Sequence, residues 1–554
     1  MNSNDHIEIV PLGGLGEFGM NTTAFRCRGT IVVVDAGLMF PRDDLLGVDI
    51  VVPELTFLKE NIDEVRAVIL THGHEDHTGG LPFLLEEIPV PVYATPLTLG
   101  LVRGRLEEYG LLDRADLRTI RPRDQIRIGS FEIEPFAVTH SIPDAVGLAI
   151  QTPLGRIIHT SDFKFDHWPP DRRLSDYAFL SELGGDGVLA LLSDSTNSER
   201  PGYTPSEMEI SRALQPLFQA SPRKVIVSCF ASSIHRMQIV LDLAASCGRS
   251  VVPLGRSMVQ NIAIAKTLGY LSDKNGVLME AHEGSRLPDD RLVLLCSGSQ
   301  GEPMAALAQL ALEKHKHFDV APGDTVIISA RAIPGNQTRV SRLINHFYRR
   351  GARVHEEASM LVHASGHAAS EELRLMLNLT RPRFFVPIHG EYRQLYRHAQ
   401  IAEEAGIPKD QIRIVETGDI IHLTPDSMEI SGRAPVGRRL IDEGGITELD
   451  ACVVRDRQRL SEDGIVLAVV AVNKSTGRVE GLPELVSRGH VQETGLPALL
   501  AEARQIMLTA MKDCSPEELS DSVFLTDLVR TELKRFFRKR TATRPMIVPV
   551  VLEI

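Results

Sequence analysis

The sequence has no paired cysteine motif and no long apolar run. Its six cysteines lie far apart and form no CxxC pair; they are Cys27, Cys229, Cys247, Cys296, Cys452 and Cys514. This spacing argues against a disulfide framework or a cysteine metal site and indicates buried thiols. No stretch approaches the roughly 18 apolar residues of a membrane span, and residues 1–6 lack the features of a secretory signal. We therefore expect a cytoplasmic protein without a membrane anchor.

The chain also lacks an excess of basic residues, since 60 Lys and Arg face 73 Asp and Glu, for a net charge of -13. This balance weighs against a surface coated in nucleic acid, but it does not exclude a local basic channel, because electrostatic steering depends on the distribution of charge as well as on its sum. The clearest basic cluster is Lys534–Arg540, KRFFRKR. The exposed end of a C-terminal helix explains it slightly better than a direct RNA contact. A length of 554 residues predicts two to four domains.

The first part of the sequence consists mainly of short apolar segments bounded by Gly, Pro or Asp. Their β-branched residues are typical of strands. The predicted strands are Ile7–Val10, Thr30–Asp35, Val65–Leu70, Val90–Tyr93, Gln125–Ile128, Phe131–Val138, Gly147–Thr152 and Arg156–Thr160. Helical patterns separate some of them, as in Leu97–Tyr109. The mixture predicts an α/β sandwich, in which helices cover two sheets.

From about Thr204 the pattern changes to a regular alternation of helix and strand. The predicted helices are Ser206–Gln219, Ile234–Ala245 and Met258–Leu268, and the predicted strands are Lys224–Ser228, Ser250–Pro253, Leu292–Cys296 and Thr325–Ser329. Such alternation is typical of a parallel sheet. We therefore expect an inserted parallel α/β domain.

After about Ser370 the pattern is again that of the first part. Strands are predicted at Phe384–Pro387 and Gln411–Val415, and the polar segment Glu448–Arg459 is interpreted as a linker. The last hundred residues or so predict a small α+β domain. Its elements are a strand in Gly464–Val472, helices Leu496–Asp513 and Ser520–Arg538, and a terminal strand Met546–Glu553.

A glycine-rich motif near the start suggests dinucleotide binding but does not fit it. Gly14–Gly19 matches GxGxxG, and Asp35 lies about 20 positions further on. The dinucleotide motif needs a helix after the glycines to hold the pyrophosphate. Met20–Cys27 has a strand pattern instead. We therefore expect a tight hairpin, with Asp35 at the end of a strand beside the polar cluster described next.

The densest polar cluster is Thr71–His77, with the sequence THGHEDH, directly after an apolar run. Neutral imidazoles and carboxylates are ligands that zinc and manganese accept. His72 and His74 point the same way on an extended segment. Asp76 and His77 follow where a helix is predicted to begin, so they can face a second ion. The motif predicts ligands for two adjacent metal ions; the alternative is a solvated polar loop.

Two downstream residues are candidates to complete these metal sites. His140 ends a predicted strand, and Asp162 follows another. Functional residues often collect on loops at strand ends above a rigid scaffold. A carboxylate can bridge two cations, so Asp162 is the candidate bridge.

The order HxHxDH, then a distant His and an Asp, resembles the metallo-β-lactamase superfamily. The resemblance implies an orienting role for Asp35 behind the ligand loop. It implies one ion held by His72, His74, His140 and Asp162, and a second held by Asp76, His77 and Asp162.

Three further motifs resemble the signatures of the β-CASP nucleic-acid-processing branch of that superfamily; they are Ser193–Asn197, His363–Ala368 and Pro387–Glu391. The resemblance makes Asp194, His367 and His389 the marker residues, and His389 would complete the shell of the second ion. Four other segments are similar to bacterial ribonuclease J, so the resemblance covers essentially the whole chain; they are Gly298–Met304, Ile333–Asn336, Leu460–Gly464 and Thr543–Ile547. Cys229 is a departure, because Thr is expected there more often.

This resemblance implies a metallo-β-lactamase αββα sandwich with an inserted parallel α/β β-CASP domain and a small C-terminal α+β domain. The expected boundaries are 1–203 and 371–447 for the two parts of the metallo-β-lactamase domain, 204–370 for the β-CASP domain, 448–459 for the linker and 460–554 for the C-terminal domain. The last of these is the expected place of self-association.

The implied chemistry is hydrolysis of RNA phosphodiesters with two divalent ions, zinc or manganese. Two cations about 3.5–4 Å apart activate the attacking water and neutralise charge on the phosphate. The products would be a 5′-phosphate and a 3′-hydroxyl. Asp76 is a candidate for orienting the nucleophile or for taking its proton. His367 is the candidate general acid, with Asp194 setting its protonation; binding of phosphate alone is the alternative role for His367.

The run His363–His367 is the expected site for substrate phosphate, including a 5′-monophosphate. Glycine permits close approach of an anion to the backbone, and successive amides can form an anion-binding nest. The candidate substrate-binding residues are His363, Ala364, Ser365, Gly366 and His367, with Ser232 and Ser233 on the opposing wall. The two serines can also cap a helix ahead of Ile234.

The leading hypothesis is a ribonuclease that cuts single-stranded RNA internally and from the 5′ end, in mRNA decay and rRNA maturation. We expect a homodimer or homotetramer, with a possible RNA-decay complex or ribosome association. The alternatives are a small-molecule metallohydrolase, a DNA-processing nuclease and a non-catalytic RNA-binding subunit.

Overall fold

The computed structural model describes residues 5–41, 45–302, 304–333, 336–442, 447–490 and 495–554. The chain forms two compact units. The first extends to Phe40 and resumes from Val51 to Arg439, and the second comprises Pro41–Ile50 and Leu440–Ile554. Pro303, Pro334 and Gly335, which belong to two of the motifs above, lie outside the described residues. In the described parts of the chain, no helix is both long and apolar enough to cross a bilayer.

The elements up to Asp194 alternate strands with short helices. The strands are β1 (Ile7–Gly13), β2 (Thr22–Cys27), β3 (Thr30–Val34), β4 (Ile50–Pro53), β5 (Val65–Ile69), β6 (Val92–Ala94), β7 (Leu117–Thr119), β8 (Ile126–Ile128), β9 (Phe131–Ala137), β10 (Val146–Thr152), β11 (Gly155–His159) and β12 (Val188–Asp194). The helices are α1 (Thr56–Glu60), α2 (Glu75–Thr78), α3 (Leu81–Glu87), α4 (Pro96–Glu108) and α5 (Tyr177–Asp186).

Alternating helices and strands follow. The strands are β13 (Val225–Ser228), β14 (Ser250–Leu254), β15 (Leu292–Cys296), β16 (Thr325–Ile328) and β17 (Arg353–His355). The helices are α6 (Glu207–Ala220), α7 (Ile234–Ser246), α8 (Arg256–Thr267), α9 (Ala281–Gly284), α10 (Ala306–Ala311) and α11 (Gln337–Arg349). The chain then forms α12 (Ser370–Thr380), β18 (Pro382–Ile388), α13 (Tyr392–Glu404), β19 (Asp419–Leu423) and β20 (Met428–Arg433). Short 3-10 turns lie at Ile62–Glu64, Leu112–Arg114, Asp289–Arg291 and Lys409–Gln411.

Two sheets form the sandwich of the first unit. One has the order β20-β19-β1-β2-β3-β5-β6-β7 and the other the order β18-β12-β11-β10-β9-β8. Their facing sides share one apolar core, with Ile9 and Phe25 from the first sheet and Ile133 and Ile157 from the second. Helices cover the outer faces, since Leu84 of α3 packs with the first sheet and Leu180 of α5 with the second. This confirms the predicted αββα sandwich.

The insertion between β12 and β18 has a five-stranded sheet of the order β14-β15-β13-β16-β17, and all its neighbouring strands are parallel. Helices pack on both faces: Ile239 of α7 contributes to one core and Leu307 of α10 to the other. The continuous apolar strands follow from this double coverage. The predicted parallel α/β arrangement of this region is confirmed.

The remaining elements lie after Gly437. They are β21 (Arg438–Asp442), β22 (Thr447–Leu449), α14 (Ala451–Asp463), β23 (Ile465–Asn473), β24 (Arg478–Val479), β25 (Glu484–Arg488), α15 (Leu496–Lys512), α16 (Pro516–Ser520), α17 (Ser522–Arg540) and β26 (Met546–Glu553). Strand β23 pairs antiparallel with β24 and β25 and parallel with β26. Alternate residues of β23 are buried against α15 and α17, as in Val466 with Met507 and Leu533.

The linker predicted at Glu448–Arg459 is wrong, because most of it belongs to helix α14. Its polarity suggested a connecting segment. However, no Pro or Gly interrupts Asp450–Asp463, and a helix needs only a narrow apolar stripe, which includes the buried Val454. The helix ends where Gly464 adopts a φ of 72°.

The strand predicted at Gln411–Val415 is also wrong. The segment leaves a 3-10 turn and makes one isolated bridge, from Ile412 to Phe385 of the edge strand β18. Val415 then packs in the core between the sheets. The β-branched residues therefore serve apolar packing here and do not continue a ladder.

The glycine-rich segment connects two paired strands. β1 and β2 are antiparallel around it, and no helix follows the glycines in this described stretch. Gly14, Gly16 and Gly19 all have positive φ, which side chains disfavour. The antiparallel hairpin and the absence of the dinucleotide-binding helix from this stretch are confirmed, but residues 14–21 join the strands, so the connection is longer than the predicted tight turn.

Candidate metal centre

The predicted metal ligands lie on loops that follow four strands and in one short helix. His72 and His74 follow β5, and Asp76 and His77 lie in α2. His140, Asp162 and His389 follow β9, β11 and β18, so that widely separated parts of the sequence meet at one end of the sandwich.

The first group consists of His72, His74, His140 and Asp162, whose ligand atoms all lie within 4.8 Å of one another. Nδ1 of His74 is 3.1 Å from Nε2 of His72 and 3.1 Å from Nε2 of His140. Oδ2 of Asp162 lies 3.7 Å from Nε2 of His72 and 3.8 Å from Nε2 of His140. Three ring nitrogens and one carboxylate therefore face a common point.

The second group consists of Asp76, His77, Asp162 and His389. Nε2 of His77 lies 3.2 Å from Oδ2 of Asp162 and 3.7 Å from Oδ2 of Asp76. Nε2 of His389 lies 3.5 Å from a carboxylate oxygen of each aspartate. Asp162 belongs to both groups, which is the placement that a bridging carboxylate needs.

The hydrogen-bonding pattern of these residues fits bound cations. A ring nitrogen of a neutral imidazole offers either one proton or one lone pair, so Nδ1 of His74 cannot make good hydrogen bonds to both His72 and His140 while all three rings are neutral. Nε2 of His389 is buried and has no hydrogen-bond partner among the described residues. Leaving such a group unsatisfied costs about 1–3 kcal/mol, and coordination removes the cost. The histidine and aspartate donor set suits zinc or manganese.

Burial favours the neutral form of the first three imidazoles. It lowers the pKa of His74 to about 4. It also lowers the pKa of His72 and of His140 well below the ordinary value, and neighbouring histidines lower them further. A neutral imidazole is the form that binds a metal.

In the second group, nearby carboxylates raise the pKa of the imidazoles above the ordinary value. Burial by itself lowers the pKa of His389, but Asp162, Asp194 and Asp76 raise it to about 10. In the same way, Asp162 and Asp76 raise the pKa of His77 well above its ordinary value against the effect of burial. Burial would raise the pKa of Asp162, but His389 and His77 hold it well below its usual range. Ionised carboxylates therefore attract positive charge to this point.

A surrounding set of hydrogen bonds holds the candidate ligands in place. Oδ2 of Asp35 is 2.7 Å from Nδ1 of His77, and Asp35 also accepts bonds from the Thr71 N–H at 2.8 Å and hydroxyl at 2.9 Å. The carbonyl of Gly366 lies 2.7 Å from Nδ1 of His140. Such partners fix the ring orientation and raise ligand basicity.

Asp194 and His367 form a pair beside the second group. Oδ2 of Asp194 is 2.8 Å from Nδ1 of His367, and Oδ1 accepts bonds from the N–H and hydroxyl of Thr196 at 2.9 and 2.7 Å. Burial lowers the pKa of His367, but Asp194 and Asp162 together raise it above its ordinary value. The side chain of His367 is 20% exposed, so it can reach a substrate.

The loop before α12 is held close to the ligands. The Asn197 amide donates to Oγ of Ser365 at 2.8 Å and to the carbonyl of His367 at 3.0 Å. A Cβ added to Gly366 would lie 2.5 Å from the ring of His140. This close approach requires glycine.

The remaining predicted substrate residues lie around the same loop. Ala364 is buried and His363 is partly buried. Ser233 is the residue before α7, but its side chain makes no capping hydrogen bond. Within the described residues, no hydrogen bond joins Ser232 or Ser233 to the His363–His367 loop.

Several residues that position the site were not predicted. The side-chain nitrogen of Asn21, Nδ2, lies 3.1 Å from Nε2 of His77 and donates to the backbone carbonyl of Asp76 at 3.1 Å. Thr196 Oγ1 is 2.7 Å from Nδ1 of His389. Thr196 and Asn197 lie within the Ser193–Asn197 motif, so that motif was a usable signal, whereas nothing in the sequence marks Asn21.

Family models match consecutive parts of the chain. They are a beta-lactamase superfamily domain over residues 30–226, the ribonuclease J beta-CASP domain over 222–347, a Zn-dependent metallo-hydrolase RNA specificity domain over 351–413 and the ribonuclease J C-terminal domain over 452–554. A solved structure of a protein of unknown function from Enterococcus faecalis V583 covers 76% of this chain and 100% of its own, with a TM-score of 0.54 and 15% identity. That likeness concerns the fold alone.

Curated relatives match over nearly the full length. Ribonuclease J of Thermus thermophilus is 44% identical over 99% of this chain and 96% of its own. Ribonuclease J 1 of Streptococcus pyogenes serotype M3 is 40% identical over 99% of this chain and 98% of its own. Ribonuclease J2 of Bacillus subtilis is 37% identical over 100% of this chain and 99% of its own. With this identity over the whole length, and with ligand groups that share Asp162 at one end of the sandwich, the chain belongs to the ribonuclease J family.

Proposed function

We propose that this chain is a metal-dependent ribonuclease that hydrolyses RNA phosphodiesters. The observation that carries the proposal is the pair of ligand groups that share Asp162, with Asp194 and His367 beside them. Membership of the ribonuclease J family supports RNA as the substrate.

We assign two divalent ions to the site, zinc first and manganese as the alternative. His72, His74, His140 and Asp162 would hold one, and Asp76, His77, Asp162 and His389 the other. When bound, such ions lower the pKa of water and neutralise charge on the scissile phosphate.

The residues beside the ligands supply the remaining chemistry. The side chain of Asp76 is 36% exposed, so one of its oxygens can orient the attacking water. His367 donates its proton to the leaving 3′-oxygen, and Asp194 orients the ring and stabilises its protonated form. The products carry a 5′-phosphate and a 3′-hydroxyl.

The loop His363–His367 is the proposed binding site for substrate phosphate. Asn197 fixes Ser365 and the carbonyl of His367, which keeps the loop in one conformation. Backbone N–H groups around Gly366 can face an anion. A 5′-monophosphate bound there, with Ser232 and Ser233 opposite, would support 5′-to-3′ exonucleolytic cutting in addition to internal cutting.

The wider roles that we propose are mRNA decay and rRNA maturation, on single-stranded RNA in the cytoplasm. Residues 460–554 are the proposed self-association domain of a homodimer or homotetramer. An RNA-decay complex or the ribosome is a further proposed partner.

A direct test compares substrates of one sequence. Purified protein with zinc or manganese is incubated with labelled RNA bearing a 5′-triphosphate, a monophosphate or a hydroxyl, with the same sequence as DNA, and with an ester panel. We expect RNA cleavage that EDTA abolishes, with 5′-phosphate products. Faster cutting of DNA would support a DNA-processing nuclease, and turnover of esters alone would support a small-molecule hydrolase.

A further inference from the structure

A separate group of metal-binding side chains lies on the first sheet and shares no residue with the centre around Asp162. His6 precedes β1, Glu8 lies within it, and His422 lies on the antiparallel neighbour β19, directly opposite Glu8. Residues two apart on a strand share a face. All three side chains therefore lie on the face opposite to that of the buried Ile7 and Ile9.

The three ligand atoms converge without any rearrangement of the backbone. Nε2 of His6 is 3.3 Å and Nε2 of His422 is 3.4 Å from the same oxygen, Oε1 of Glu8. The two imidazole rings have centroids 4.0 Å apart. The three donor atoms lie within 4.8 Å of one another. The side chains are 31%, 19% and 35% exposed for His6, Glu8 and His422, so an ion can enter from solvent.

Neither of the two nearby arginines, Arg26 and Arg28, is paired with Oε1 of Glu8. Arg26 lies 3.2 Å from the other oxygen, Oε2, but Arg26 is paired mainly with Glu64, at 2.6 and 2.7 Å. Arg28 is paired with Asp5. The local arginines thus have carboxylates of their own.

A divalent cation suits this arrangement better than protons do. One cation at the point where the three donor atoms converge can accept a lone pair from each imidazole and from the carboxylate at once. Two neutral imidazoles and a carboxylate are a donor set that zinc accepts. We propose that His6, Glu8 and His422 form an additional binding site for a zinc-type divalent cation, which links the beginning of β1 to β19. An ion bound only by the folded state would stabilise it.

The test is zinc titration of the metal-depleted full-length chain by calorimetry. His422→Ala and His6→Ala remove one ligand each, and His282→Ala is the matched control, because it removes an exposed histidine of the insertion. We expect each ligand variant to bind one zinc equivalent fewer than the wild type and the control. We also expect zinc to raise the Tm of the ligand variants less than that of the wild type, with unchanged RNA hydrolysis at saturating metal.

Equal zinc equivalents and equal zinc-induced Tm shifts in the wild type and both ligand variants would overturn the proposal. The same loss in His282→Ala would also overturn it, because the binding would then be general to surface histidines. Thermal unfolding without zinc confirms that each variant is folded. The readout is independent of hydrolysis, so failure here leaves the proposed function in place.

Discussion

Two buried polar clusters of the first unit contain residues only two positions apart in the sequence, Asp162 and Lys164, yet they are built in opposite ways. Around Asp162, imidazole nitrogens face one another and the shared carboxylate. In the second cluster, Lys164 lies 3.3 Å from Asp166 and 3.7 Å from Glu207, and Glu207 pairs with Arg236 at 2.7 Å. Each charge of the second cluster faces an opposite charge of the protein itself.

The second cluster also connects the segments that carry the site. Arg236 donates to the carbonyl of Val362, directly before the His363–His367 loop. The buried carboxylate of Glu372 accepts backbone N–H bonds from Phe165, Thr204 and Ala369 at 2.7–2.8 Å. The comparison teaches that burial of charge alone does not identify a functional site. In the second cluster even Oε1 of Glu207, which has no hydrogen-bond partner among the described residues, lies 3.7 Å from the Lys164 ammonium. Buried charges that are paired within the protein hold structure, whereas imidazoles and carboxylates that converge without a lysine or arginine among them are suited to a bound cation.

Removal of the shared carboxylate should give the largest effect. Asp162→Ala deletes a candidate ligand of both groups, so we expect RNA hydrolysis to fall below detection while the fold persists, because loss of outer partners alone typically costs about 10–100-fold. The measurements are kcat/KM and bound metal per chain. A folded variant with normal turnover would remove Asp162 from its assigned role.

Loss of the proposed acid should have a large effect that depends on the leaving group. We expect His367→Gln to reduce RNA hydrolysis by about 100- to 10,000-fold, the usual contribution of general acid–base catalysis. An activated aryl phosphodiester needs little protonation of its leaving group, so its hydrolysis should fall much less. An equal loss on both substrates would indicate that His367 only binds phosphate.

Breaking the Arg236–Glu207 ion pair of the second cluster should lower the stability of the fold without changing the metal content. Arg236→Met leaves the buried Glu207 with only the Lys164 ammonium, 3.7 Å away, as a counter-charge. We expect this loss to lower the free energy of unfolding by about 3 kcal/mol, the lower end of the range for breaking a buried ion pair. The double variant Arg236→Met/Glu207→Gln is the matched control and should lose less. Urea unfolding provides the values. A loss below about 1 kcal/mol for the single variant would contradict this description of the cluster.

The partner behind the ligands should matter less than the ligands. Asp35→Asn keeps the shape of the side chain but removes the charge that faces His77. We expect a decrease of about 10- to 100-fold in metal affinity or activity. Zinc titration and RNA hydrolysis assays of the variant measure this decrease. Zinc affinity and activity equal to those of the wild type would count against an orienting role for Asp35.

The smallest effect concerns selection of the RNA end. Ser365→Ala removes a hydroxyl that Asn197 fixes. We expect use of 5′-monophosphorylated RNA to fall about three- to tenfold, the value of one neutral hydrogen bond, while internal cutting stays close to wild type. Competition between the two substrate types measures the ratio. An equal decrease in both would place Ser365 outside recognition of the end.

The sequence reveals the two clusters to different degrees. His72, His74 and His77 lie within seven residues after a strand, so their chemistry is visible directly. His389 is more than 300 residues away, and only the resemblance to a family connected it to them. Arg236 and Glu207 were not predicted as buried, because charged residues usually lie at the surface and nothing local marks a pairing that forms across the fold.

The errors of secondary structure have the same origin. Polar residues at 448–459 suggested a linker because their local composition hides the narrow apolar stripe of α14. At Gln411–Val415 the β-branched pattern is real, but the chain packs against the sheet without extending its ladder. In both segments tertiary contacts determine the secondary structure, and local sequence propensity alone does not predict them.

The two-metal centre is tested most directly by anomalous diffraction at the zinc and manganese absorption edges from crystals of active, carefully purified enzyme. We expect two metal peaks about 3.5–4 Å apart, one within reach of His72, His74 and His140 and the other of His77 and His389, with the carboxylate of Asp162 between them. Fully active crystals with no metal at these residues would contradict it.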